Sequence, residues 1–202
     1  MKRLFLSLIV GVAANMACAQ GLRFGIKGGL NVSKESPYKL IGLDSEFSTN
    51  ARLGVKAGVV ASYDFNDKFG VEADLMYSLQ GYKEEVYVGN TDEVCHPCVS
   101  SHYLQLPLTF KYYPAGRFYV EGGTEFGYLL SKSMNAFDDI EERSLTDDCN
   151  MFDIGLVGGV GYVFDNNIFV NARYVYGLRD TSKEWTKGAK NRNFQVCLGY
   201  YF

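Results

Sequence analysis

Cys95-His96-Pro97-Cys98 is the stretch whose residue types could most directly do chemistry. A C-x-x-C pair can cycle between thiols and a disulfide, or supply half of a tetrahedral zinc site. Zinc would need further ligands, and His96, His102 and Cys149 are the candidates. A redox role would call for a thioredoxin-like strand-helix-strand pattern around the pair, and the flanking sequence has none. The plainer expectation is a loop disulfide in an oxidising compartment, with Cys95 or Cys98 pairing with Cys149. Ser100, Ser101 and His102 follow directly. A catalytic triad is defined by geometry, which three adjacent loop residues do not supply. Asp138, Asp139, Glu141, Glu142, Asp147 and Asp148 form an acidic run that reads as solvated charge. No cofactor, metal site or enzymatic activity is expected.

A second set of charges is spaced differently. The cations Arg23, Lys27, Lys56, Lys111, Arg173 and Arg179, and the anions Asp64, Glu72, Asp74, Glu121, Glu125 and Asp153, sit inside otherwise apolar segments. They fall on alternate positions, opposite the greasy residues. Alternation with a period of two is the mark of a β-strand with one wet and one oily face. The final segment shows it plainly: Phe194, Val196, Leu198, Tyr200 and Phe202 share one parity, and Asn193, Gln195, Cys197 and Gly199 hold the other.

The same pattern defines eight strands, over 22–32, 52–64, 69–83, 102–113, 117–131, 151–164, 168–179 and 192–202. Their connections alternate between long and short. Phe65-Asn66-Asp67-Lys68, Pro114-Ala115-Gly116 and Asp165-Asn166-Asn167 are tight turns. The long connections are polar. Short turns at one end and long loops at the other are expected of an all-β, eight-stranded, antiparallel up-and-down transmembrane barrel. The alternative is a soluble lipocalin-like barrel, whose apolar face would point inward. If the apolar parity meets lipid, the twelve charges fill the lumen, where they must pair because an isolated buried ion is costly. A balanced set in so narrow a barrel predicts a plug rather than a pore. Pro107, inside the fourth strand, is expected to break the ladder or mark a bulge.

The address agrees. Lys2 and Arg3, an apolar run and Ala17-Cys18-Ala19 form a signal peptide over residues 1–19, which leaves 20–202 as the barrel domain. Without Lys2 and Arg3, the basic residues are outnumbered by 23 acidic ones, a net charge of about −5. Nucleic acid is therefore not an expected partner. The 22 glycines, 15 tyrosines and 14 phenylalanines suit β structure. No segment beyond the leader approaches the run of about 18 apolar residues that a membrane helix needs.

Two motifs carry a resemblance. Gly25-Ile26-Lys27-Gly28-Gly29-Leu30-Asn31 and Tyr103-Leu104-Gln105-Leu106-Pro107-Leu108, continuing to Lys111-Tyr112-Tyr113, resemble the PorT-like outer-membrane β-barrel family common in Bacteroidetes. The resemblance implies a cell outer-membrane location and, for PorT itself, a part in protein secretion. The last strand also looks like the signal read by barrel-assembly machinery. The expected function is a monomeric structural scaffold whose external loops meet a protein partner. A secretion accessory or a narrow solute channel is the alternative, and a lipid-modifying enzyme comes last. Outer-membrane lipid and the assembly machinery are the other expected partners.

Overall fold

The computed structural model describes residues 21–40, 46–47, 49–83, 86–87, 94–95, 97–135, 143–146, 149–181 and 186–202. The proposed leader and the acidic run of Asp138, Asp139, Glu141, Glu142, Asp147 and Asp148 lie outside them. Eight long strands dominate: β1 (Leu22–Glu35), β2 (Asn50–Asn66), β3 (Phe69–Lys83), β4 (Cys98–Ala115), β5 (Phe118–Asn135), β6 (Phe152–Val163), β7 (Ile168–Asp180) and β8 (Lys190–Tyr201). Each pairs antiparallel with the next. β1 pairs with β8 from Gly25–Tyr201 to Glu35–Asn191, so the sheet closes and leaves no open edge.

Side-chain chemistry dictates which face looks out. Ile26, Val59 and Leu198 are 53%, 54% and 60% exposed, while Lys27, Lys56 and Gln195 are 3%, 3% and 1% exposed. Oil outside and charge inside is the inverse of a soluble barrel, so the lipocalin-like alternative is overturned. Such an outer surface is stable only against lipid.

The short turns are built by their own residues. Asn66 Oδ1 accepts from the backbone of Lys68 at 2.9 Å and of Phe69 at 3.0 Å. Gly116 (φ +54°) and Asn167 (φ +62°) take the left-handed conformation that tight hairpins demand. Pro107 produces no bulge. The β3–β4 ladder keeps one register but skips from Ala73–Leu108 to Met76–Gln105, whereas β4–β5 pairs straight through Pro107–Glu125. The missing N–H therefore falls on the β3 side.

At the other end the strands run further than the alternation indicated, and the connections carry strands of their own. Tyr38–Leu40 pairs with Glu46–Phe47 and with Thr186–Lys187, and Val86–Tyr87 pairs with Val94–Cys95. Closure has a direct consequence: in cold SDS the unboiled protein should migrate apart from the boiled one. A single band indifferent to boiling, from protein folded in lipid, would contradict the closed ladder.

Candidate functional site: a charged lumen beneath the external loops

The centre of the lumen is one guanidinium. Alternation on β7 points Arg173 inward, and its stem lies over Gly159 on β6, where an added Cβ would meet Arg173 Cγ at 2.9 Å. Arg173 Nε donates to Glu121 Oε1 at 2.6 Å, Nη1 to Asp74 at 2.7 Å, and Nη2 to Glu72 and to Glu121 Oε2, each at 2.7 Å. Lys27 donates to Glu72 at 2.9 Å and to Asp74 at 2.7 Å. Lys111 completes the set on Glu72. Three cations thus meet three carboxylates from β1, β3, β4, β5 and β7. All six residues are buried. Desolvating such ions costs several kcal/mol each, and short charge-assisted bonds offset it only when every group is paired. Asn171 and Thr109 add donors to Glu121, and the Tyr201 hydroxyl donates to Glu72 at 2.8 Å.

Below this layer, toward the short turns, lies a floor of rings. Tyr113, Tyr119, Phe169 and Tyr201 are buried with Val60 and Val163. Phe169 and Tyr201 stack with centroids 4.3 Å apart, and Lys111 Nζ lies 4.4 Å from the Tyr119 ring. Gly161 and Gly199 give room to the rings of Tyr119 and Phe169. Arg23 and Asp64 pair at 2.5 Å beneath the floor, beside an open vestibule of about 690 Å³.

Above the charged layer, Lys56 donates to Gln195 at 2.6 Å and to Gln105 at 3.4 Å, and Gln105 donates to Glu125 at 2.6 Å. Asp153 accepts from Asn191 at 2.6 Å. A cavity of about 10 Å³ remains between Gln105, Glu125, Asp153 and Asn193, roughly the room of one water.

A barrel with this inside-out chemistry has a recognisable kind. The family model for the outer membrane protein beta-barrel domain matches residues 15–183. The chain belongs to that family. Among solved structures it is similar to Neisserial surface protein A (NspA), with 12% identity and a TM-score of 0.58, over 91% of this chain and 100% of that one. It is also similar to the outer membrane protein OprG from Pseudomonas aeruginosa, with 21% identity and a TM-score of 0.51, over 91% of this chain and 97% of that one. No curated protein matches the sequence. At these identities the two structures speak for the fold.

In this outer-membrane barrel, eleven of the twelve charges expected in the lumen lie within it, grouped as six in the central cluster, the Arg23–Asp64 pair, and Lys56, Glu125 and Asp153 above. Arg179 does not join them, which corrects the expectation. The β7–β8 register shifts between Tyr176 and Asp180. That irregularity turns Arg179 outward, where it is exposed and reaches Phe152 O at 3.3 Å and Asn150 Oδ1 at 3.4 Å. The converse happens on β5. The pairing passes from His102–Ser131 to Tyr103–Leu129, leaving Leu130 as an extra residue. Lys132, which reads as loop in the sequence, thereby turns inward and binds Glu35 at 2.9 Å.

Of the two expected cysteine pairings, the one through Cys98 does not form. Cys98 begins β4 at the rim, and Cys149 is buried against Tyr103 and Leu129. No disulfide joins Cys98 to Cys149. The side chain of Cys95 lies outside the described residues, as does His96. Nor can His102 complete a zinc site with Cys149. It faces outward from β4, with Nδ1 2.5 Å from the Tyr77 hydroxyl. Ser100, Ser101 and His102 belong to β4, so alternation sends Ser101 inward and His102 outward, and the three do not converge.

Proposed function

We propose that this protein is a sealed, rigid membrane scaffold that presents its four external connections to a protein partner. The observation that carries this reading is the filled lumen: ring floor, six-membered ion cluster, amide layer and the Lys132–Glu35 pair follow one another with little space between them. So dense a network fixes the strands relative to one another and leaves function to the loops. The protein is exported by its leader, inserted by barrel-assembly machinery and acts as a monomer. Of the C-x-x-C pair, Cys95 belongs to one of the presented connections and Cys98 opens β4 at its edge.

A PorT-like accessory role in secretion is the second reading, and the two motifs shared with that family support it. Both place residues in the lumen, where Lys27 and Lys111 converge on Glu72. Planar-bilayer recording tests the sealed scaffold. Purified protein should give no steady unitary currents, and steady currents would replace the scaffold with a channel. Cross-linking on intact cells separates the remaining two. Capture of secretion components favours the accessory role. A surface partner that is lost when residues 136–142 are shortened, with heat-modifiability kept, supports loop presentation.

A further inference from the structure

The apolar belt ends on one rung of the β7–β8–β1 face. Along β8, Phe202, Tyr200, Leu198, Val196 and Phe194 face outward, and the next outward position is Arg192. Along β1, Phe24, Ile26, Leu30 and Val32 face outward, and the next is Lys34. The register sets these two cations opposite each other, one rung beyond the Val32–Phe194 pair. From Phe202 to Arg192 the strand climbs roughly 26 Å, taking about 3.4 Å per residue and a tilt near 40°. An outer-membrane apolar band is about 25 Å tall. The pair therefore stands at the level of the outer-leaflet headgroups.

Like charges directly opposite on neighbouring strands repel. Arg192 is nonetheless held in place. Its guanidinium lies 3.6 Å from the centroid of the Tyr176 ring, its neighbour on β7, and Nη1 donates to Gly177 O and Asn191 O at 3.0 Å each. Lys34 is exposed. Among the described residues, neither cation forms an ion pair. Arg179 adds a third exposed cation to the same rim, while Lys190 faces Asp180 in register.

We propose that Lys34 and Arg192 together hold a phosphate of the outer-leaflet glycolipid. A phosphate between them turns one repulsion into two attractions, and the arginine fork suits its oxygens. Tyr176 offers a flat face beside the sugar. The acyl chains would run down Phe194, Val196, Leu30 and Val32. That apolar continuation commits the site to a lipid rather than a soluble anion.

The test uses the full refolded protein in micelles doped with bisphosphorylated lipid A or its dephosphorylated form, with bound lipid counted by native mass spectrometry. Wild type should retain the phosphorylated lipid about tenfold better. Lys34→Gln and Arg192→Gln should each reduce its retention about fivefold, while Lys34→Arg keeps it. Lys68→Gln, at a short turn, should change nothing. Each variant is first checked for heat-modifiability, and the exposed Lys34 decides the matter should Arg192→Gln not fold. Equal retention of the two lipids, or full retention by Lys34→Gln, overturns the proposal. Displacement of the lipid by millimolar inorganic phosphate overturns its commitment to a lipid.

Discussion

Replacing Arg173 by methionine should destabilise the barrel by about 3–5 kcal/mol, the cost of removing one partner from a buried ion network. Methionine fills a comparable channel of space over Gly159, so the loss is chiefly electrostatic. Three carboxylates would then share two lysines. Lys27 and Lys111 would still hold Glu72, and Lys27 would hold Asp74. Glu121 would be left with Asn171 and Thr109, neutral donors at 3.2 and 3.3 Å. If Glu121 is the stranded group, Arg173→Met combined with Glu121→Gln should recover a large part of the loss, because a charge removed with its partner leaves nothing unpaired. Urea unfolding in phospholipid vesicles measures both. An Arg173→Met barrel within about 1 kcal/mol of wild type would show that the network adds little to stability. An unrescued double variant would place the cost elsewhere in the cluster.

Alternation made the two faces of the barrel legible, and the reason is physical. Lipid outside and polar chemistry inside give each strand a period-two contrast that a soluble sheet, buried on both faces, does not have. Lys27, Glu72 and Arg173 could be assigned to the lumen from parity alone. Their partners could not, because which cation meets which anion depends on shear around a closed sheet. Irregularities defeated the reading near the outer rim. One extra residue reverses every side chain beyond it, which is how Lys132 entered the lumen and Arg179 left it. The adjacent pair Leu129-Leu130 breaks the alternation and is the signal for the first of these. The ring floor also left a trace. Tyr112-Tyr113, Phe118-Tyr119, Ile168-Phe169 and Tyr200-Tyr201 are apolar doublets at the short-turn ends of four strands. One member of each meets lipid and the other enters the floor. Cys98 reads as loop because the polar, mixed composition before Tyr103 hides the alternation there, whereas the structure begins β4 at Cys98.

Leu75→Arg should cost about 2–4 kcal/mol in a bilayer, and its neighbour Asp74→Asn should cost a comparable amount for the opposite reason. Leu75 lies mid-strand on β3, 48% exposed on the lipid face and paired across the ladder with Val59. An arginine there is stranded near the bilayer midplane. Asp74 points the other way. Sequence alone suggests that neutralising it is the milder change, but the structure gives it bonds of 2.7 Å to both Lys27 and Arg173. Asparagine would leave the cluster with an excess positive charge in a site that water barely reaches. Magnitude therefore does not separate the two variants; solvent does. In small detergent micelles the long arginine at position 75 can snorkel to headgroups, so most of its penalty should vanish. The Asp74→Asn penalty originates inside the barrel and should persist in micelle and bilayer alike. Unfolding both variants in both media tests the facing assignment directly. A Leu75→Arg cost that survives unchanged in micelles would mean that position 75 does not look into lipid, and an Asp74→Asn cost that disappears there would mean that position 74 does.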